Sequence, residues 1–229
     1  MKSTKDRAFQ ALSLSVYNAE NVLGDVGEFE LSCPHDTQYV LRMIVKLAHE
    51  SLKLPPELEW LRYLIEASDE QQRKIGISQP FCYVTVRSGP VISENDDVWH
   101  VDGFSTKVTH LPEQNYIISD CYPTEYVERG FDFPADFDPL IYNVHAFFQS
   151  RITEEDHKVG APYRMYCLDP YIPHKRQVIP DGVSRTFVRI SYTPIEIMDD
   201  ANTENPLIPM RKYNRDGVKI RDELKTYNK

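Results

Sequence analysis

Two side chains able to bind a metal stand two residues apart in His100-Val101-Asp102-Gly103. In an extended strand, residues i and i+2 point to the same face, so one imidazole and one carboxylate would project together while Val101 packs on the other side. Gly103 permits an abrupt turn just after them. Two ligands hold a divalent ion weakly, so a third is needed. Two histidines and one carboxylate on one face leave three positions open, an arrangement suited to ferrous iron that must also take a cosubstrate and oxygen. The candidates for the third ligand are His110, His145, His157 and His174. His110 sits in a turn-like Thr-His-Leu-Pro segment, His145 lies beside Phe147 and Phe148 in a helix-like run, and His157 follows the solvated Glu154-Glu155-Asp156. His174 differs from these. It follows an apolar strand-like run and leads, through Pro180-Asp181-Gly182, into another, so a hairpin there would place it opposite the His100 strand.

The elements that must position these residues fall into two groups. Before Leu31 no period is clear. From Pro34, Val40, Leu41, Ile44, Leu47 and Ala48 recur at helical spacing, with Asp36 or Thr37 as cap, and predict a first helix. A second is predicted from Pro56, with Leu58, Leu61, Leu64 and Ile65 on one stripe and Ile75-Gly76-Ile77 as its stop. After Gln79-Pro80 the chain becomes strand-like over 81–86, 98–101, 116–118, 163–168 and 186–192, punctuated by Ser88-Gly89-Pro90, Glu94-Asn95-Asp96-Asp97 and Pro180-Asp181-Gly182. One more helix is predicted over 139–152. The tail from Pro194 reads as an extended wrap with a short helix over 218–227. The expected fold class is therefore α+β, one domain over residues 1–229: mainly helical support over 1–78, a β core over 79–193, and a C-terminal extension over 194–229.

His-x-Asp alone occurs by chance in many chains. A His-x-Asp pair followed by a histidine roughly seventy residues on, and by an arginine about ten residues later on a strand, is more specific. That order resembles the non-haem iron(II)/2-oxoglutarate-dependent dioxygenases, over about residues 81–192. The resemblance implies a double-stranded β-helix (jelly-roll or cupin-like) core braced by N-terminal helices. It implies Fe(2+) held by His100, Asp102 and His174, and 2-oxoglutarate and O2 as cosubstrates. Arg185 would then hold the far carboxylate of 2-oxoglutarate, since a guanidinium fork offers that group two parallel hydrogen bonds. Arg189 lies four residues on, so both arginines share one face of a strand unless a bulge intervenes. Arg189 would assist Arg185 or receive an anionic group of the substrate.

Tyr116, or Asn115 in the other register, lies where family members often carry a polar residue for the cosubstrate. Arg87, at a strand end, and Asp120, Tyr122 and Glu125, after the Tyr116 strand, are candidates for substrate contact, while Trp99 is expected on the outer side of the sheet. Asp102 matters for reaction type: related halogenases replace this carboxylate with a small residue, so hydroxylation of a C–H bond, with succinate and CO2 as coproducts, is the expectation. Desaturation, cyclisation and demethylation use the same three ligands. The alternatives are a hydroxylase of a peptide side chain, a cupin-type metalloprotein or hydrolase that uses no 2-oxoglutarate, and a jelly-roll binding protein.

Composition narrows the partners. Cys33, Cys82, Cys121 and Cys167 are widely separated, as expected of reduced thiols and not of a zinc-thiolate cluster. A net charge of −9 disfavours nucleic acid. It favours a small polar metabolite, such as an amino acid or a natural-product intermediate. No apolar run is long enough for a membrane span and no leader is apparent, so a cytoplasmic monomer or homodimer is expected.

Overall fold

The computed structural model describes residues 24–91, 98–102, 113–132, 143–168, 172–194, 196–197 and 201–208. Two long strands set the frame. β3 (Phe81–Pro90) and β9 (Ser184–Thr193) pair antiparallel along their whole length, from Phe81↔Thr193 to Pro90↔Ser184. β4 (Gln114–Ser119) pairs with the other edge of β9, β7 (Arg164–Leu168) with β4, and β1 (Gly24–Glu28) with β7. β2 (Gln38–Lys46) closes the far side on β3, giving a six-stranded sheet in the order β1-β7-β4-β9-β3-β2. A second, three-stranded sheet holds β6 (Lys158–Val159), β5 (Glu125–Tyr126) and β8 (His174–Lys175) in that order. The described chain is thus a mostly antiparallel β protein with few helices, compatible with a β-sandwich.

Period-two alternation sorts the faces of the large sheet. Val84, Val86, Tyr116, Ile118, Val188, Ile190 and Tyr192 face one way and are buried with Leu58, Leu61, Leu64 and Ile65. Those last residues come from a 3-10 turn (Pro56–Leu61) and from α1 (Arg62–Lys74). Pro56 starts the turn, where its missing N–H costs nothing, and Gly76 ends the helix with φ +73. Tyr192 fastens helix to sheet: its hydroxyl lies 2.9 Å from Ser68 Oγ and donates to Ile65 O at 3.2 Å. The other face of the large sheet carries the polar candidates.

The first predicted helix is a strand. Residues 38–46 form β2, and among the described residues 24–78 helix is confined to the 3-10 turn Pro56–Leu61 and the helix Arg62–Lys74. The register of β2 on β3 shifts between Val40 and Met43, where Arg42 takes φ 45. This bulge inserts a residue into the alternation, so the buried positions run Val40, Met43, Val45, Leu47. A three-residue step inside a two-residue period imitates a helical stripe. Ser88-Gly89-Pro90 likewise continues β3 instead of turning, with Ser88 Oγ 2.9 Å from Thr186 Oγ1 across the pair. The helix expected over 139–152 is shorter in the described residues: α2 (Val144–Gln149), capped by Asn143 Oδ1, which accepts from Ala146 N–H. The tail does wrap. Thr203 N–H donates to Leu41 O at 2.7 Å and Asn205 Nδ2 to Ile44 O at 2.8 Å, along β2. The helix expected over 218–227 lies outside the described residues.

Gly89 has φ +123, and a Cβ there would meet Thr37 Cγ2 at 2.8 Å, whereas Gly182, at φ +79, has open space around it. Gly182→Ala is expected to cost only the left-handed backbone, about 1 kcal/mol. Gly89→Ala adds overpacking and should cost at least ~1 kcal/mol more. Urea unfolding of the two variants measures the difference, and equal losses would contradict the packing described for β3.

Candidate metal centre

His100 and His174 form a hydrogen-bonded antiparallel pair outside the named strands: His100 N–H donates to His174 O at 3.0 Å, and His174 N–H to His100 O at 2.9 Å. On its other edge β8 pairs with β5 through Tyr126↔His174. Asp102 follows on the same side as His100, as the alternation predicts. Ligand atoms of His100, Asp102 and His174 lie within 4.8 Å of one another, with His174 Nε2 at 3.6 Å from Asp102 Oδ2.

The same local device orients both imidazoles. Each Nδ1 lies against the carbonyl two residues earlier, His100 against Val98 O at 2.9 Å and His174 against Ile172 O at 3.0 Å. A carbonyl only accepts, so Nδ1 carries the proton and Nε2 keeps its lone pair for a metal. Burial is the main cause that pulls His174 down to about 4, against the attraction of Asp102, so the ring is neutral at neutral pH. Burial would raise the Asp102 carboxyl, but His174, Arg189, His100 and Arg42 outweigh it and hold the group below the usual carboxylate range. Two imidazoles, each with its Nε2 turned away from the backbone carbonyl, and an ionised carboxylate make a donor set that fits a divalent ion of the ferrous or zinc kind.

Asp102 is itself held. Asn115 Nδ2 donates to Asp102 Oδ2 at 2.6 Å and to Glu113 Oε1 at 3.3 Å. Ser191 Oγ donates to Asn115 Oδ1, which fixes which way the amide points. Glu113 in turn pairs with Arg42, the residue at the β2 bulge. Asn115 and Ser191 are cross-strand partners on β4 and β9.

The centre opens into a cleft of about 480 Å³ between the two sheets. From the large sheet its lining includes Thr85, Arg87, Arg185, Phe187 and Arg189, and from β8 and the residue after it His174, Lys175 and Arg176. Arg185 and Arg189 both face it, so no bulge separates them. Arg185 is 7% exposed; its Nε donates to Cys121 O and its Nη2 to Tyr122 O, both at 2.9 Å. Arg189 lies between Thr85 and Ile117 in the sheet, and among the described residues its buried Nε has no hydrogen-bond partner.

The other candidates separate. His145 Nδ1 lies 3.3 Å from Trp99 O, and its ring is 6.3 Å from that of His100. His157 packs edge-on to Trp99. Trp99 is 2% exposed, under Lys175 Nζ. His110 lies outside the described residues. Tyr116 points into the helix-side core against Tyr192, so of the adjacent pair only Asn115 reaches the site. Asp120 accepts from Thr186 N–H, Tyr122 lends its carbonyl to Arg185, and Glu125 pairs with Lys175 at 3.1 Å; none of the three lines the cleft. The sequence reading passed over Ser191, Glu113, Arg42 and Thr85. The signal for Ser191 and Thr85 was their place on the arginine face of β9 and β3; Glu113 and Arg42 had none. No protein-family model matches this chain, and no curated protein matches it.

Two outcomes follow from the geometry. His174 sits near 4 when folded and near 6.5 when unfolded, so the unfolded chain binds the extra proton between those values. Stability of the metal-free protein should therefore be whole above pH 6.5 and fall by about 3 kcal/mol on the way to pH 4. Chemical denaturation across that range reads it, and His174→Gln should flatten the profile. Separately, Asn115→Ala frees Asp102 and should weaken divalent metal binding about 10- to 100-fold in a chelator competition; unchanged affinity would rule out its hold on the carboxylate.

Proposed function

We propose that this chain is an iron(II)- and 2-oxoglutarate-dependent oxygenase that hydroxylates a C–H bond of a small polar metabolite. The observation that carries this reading is the convergence of His100, Asp102 and His174 at the inner end of a cleft walled by the arginine-bearing strand β9. Two antiparallel sheets facing across that cleft are the arrangement expected of a double-stranded β-helix.

Once bound, iron with 2-oxoglutarate and dioxygen supplies an oxidative decarboxylation to succinate and CO2, with the second oxygen atom going into the substrate as hydroxyl. The chain's own part is to bind, orient and exclude. His100, Asp102 and His174 would hold the metal, each offering one ligand atom. Asn115 and Ser191 keep one Asp102 oxygen engaged, which favours a single ligating oxygen. An arginine on β9 receives the far carboxylate of 2-oxoglutarate. The sequence pattern points to Arg185 for that task, but two features favour Arg189. Its charge acts on both Asp102 and His174, and its buried Nε has no hydrogen-bond partner among the described residues. Arg185 is instead drawn to the Cys121 and Tyr122 carbonyls. A hydrolase using the same three ligands would leave the buried Nε of Arg189 without a dicarboxylate to receive.

Incubation with iron(II), ascorbate, oxygen and 2-oxoglutarate should release succinate, slowly without substrate and faster with it. His174→Ala should abolish both iron retention and succinate release. Arg189→Gln should raise the 2-oxoglutarate Kd at least about tenfold, the loss of one charged hydrogen-bond pair, with iron affinity unchanged. Failure of the wild-type protein to bind 2-oxoglutarate would sink the oxygenase reading.

A further inference from the structure

In the large sheet β9 and β3 separate β2 from β4, the strand that carries Asn115. Arg42 on β2 nevertheless pairs with Glu113, the residue just before β4. Among the described residues Arg42 is the one non-glycine residue inside a strand with a positive φ, 45. That backbone region is uncommon for such a side chain and persists only where the surroundings over-determine it. Here they do. Arg42 N–H donates to Thr85 Oγ1 at 3.1 Å. Just before it, Leu41 N–H donates to Thr203 Oγ1 at 2.9 Å, and Leu41 O accepts from Thr203 N–H at 2.7 Å. Just after it, Asn205 Nδ2 donates to Ile44 O, and also to Lys53 O. Residues 201–208 thus bracket the bulge on both sides. The guanidinium stands over the Tyr83 ring, 5.6 Å from its centroid, and the Tyr83 hydroxyl accepts from Ile197 N–H at 2.7 Å.

What this device holds is Glu113. Glu113 Oε1 and Asp102 Oδ2 accept from the same Asn115 Nδ2, at 3.3 and 2.6 Å. Two carboxylates so close repel each other, so Glu113 keeps its place only with a cation to anchor it. Arg42 is that cation, and both side chains of the pair are largely buried. Asn115, Ser191 and Tyr83 are successive cross-strand partners on β4, β9 and β3, so one row of the sheet carries the amide that holds Asp102 and the ring that carries Arg42.

We propose that Arg42 is a positioning residue for the candidate metal centre: kept in its left-handed bulge by the C-terminal strap, it fixes Glu113 and, through Glu113 and Asn115, the Asp102 carboxylate. The proposal rests on the metal reading of His100, Asp102 and His174, and not on the reaction carried out there. Charge alone would give the opposite sign. The Arg42 cation is felt at Asp102. If it acted only through its field, removing it would relieve repulsion of a bound cation and tighten metal binding.

The test is Co2+ binding by the full chain, read by competition with a chromophoric chelator and by the visible spectrum of the Co2+ form, whose intensity follows coordination number and geometry. Arg42→Gln keeps a non-glycine residue in the bulge and removes the ion pair. It should weaken Co2+ binding about tenfold and alter the spectrum, as loss of an outer support of a ligand does. Arg42→Lys, which can still pair with Glu113, should fall between that variant and the wild type. In a Glu113→Gln background the same Arg42→Gln change should add little, because the two residues act as one unit. Thr203→Val removes the acceptor for Leu41 N–H and should shift the affinity in the same direction by a smaller factor. Urea unfolding of the metal-free variants separates a merely structural role, which would lower stability and leave the affinity and spectrum of the folded protein as they are. Unchanged or tighter Co2+ binding by Arg42→Gln overturns the proposal, and unchanged binding by Thr203→Val removes the strap from it. A wild-type chain that binds no Co2+ overturns the metal reading and this proposal together, whereas the other outcomes bear on this proposal alone.

Discussion

Two backbone hydrogen bonds between His100 and His174 join chain segments far apart in sequence, and the cleft takes its form from that junction. Without it, His100 and Asp102 would sit on a short extended segment that belongs to no strand ladder. With it, that segment becomes the outer rung of the small sheet, and two imidazoles and a carboxylate face the arginine side of the large one. The energy needed to hold the triad comes mostly from elsewhere. The β3–β9 ladder and the helix-covered apolar face supply a rigid floor, and the small sheet is docked against it through Ile117, Leu168 and Ile172.

The cleft is also where polar groups are buried at a cost and then satisfied in chains. Asp102 leans on Asn115, Asn115 on Ser191 and Glu113, and Glu113 on Arg42. Such a chain holds each member's geometry only while every member is present, because a half-satisfied buried network costs more than an apolar one. It also carries the influence of the β2 bulge to the candidate metal centre, since Arg42 occupies the bulge and its charge helps keep Asp102 ionised.

Much of this was legible in the sequence for simple reasons. Residues two apart on a strand share a face, which placed His100 with Asp102 and Arg185 with Arg189. The apolar strand-like run over 163–168 and the Pro-Asp-Gly turn before 186–192 singled out His174. The second helix was readable from Pro56, its apolar stripe and Gly76. The failures have equally physical causes. A bulge at Arg42 broke a two-residue alternation into a three-residue step and disguised a strand as a helix. For Tyr116 and Asn115 the two registers looked alike, because an interior strand buried on both faces has no polar side to mark it. The Glu113–Arg42 pair joins β2 to the residue before β4, strands that are not neighbours in the sheet, and no local pattern encodes such a contact.

The strap formed by residues 201–208 has a consequence for the order in which the molecule matures. Thr203 both bonds to Leu41 and lines the cleft. His174, Arg189 and Thr203 all lie far downstream of His100 and Asp102 in the sequence. A nascent chain on the ribosome therefore holds His100 and Asp102 for some time without their third partner or the wall above them. The three side chains that could hold a metal therefore come together only after the later segments emerge, so the pocket is completed by the sequence order of its strands.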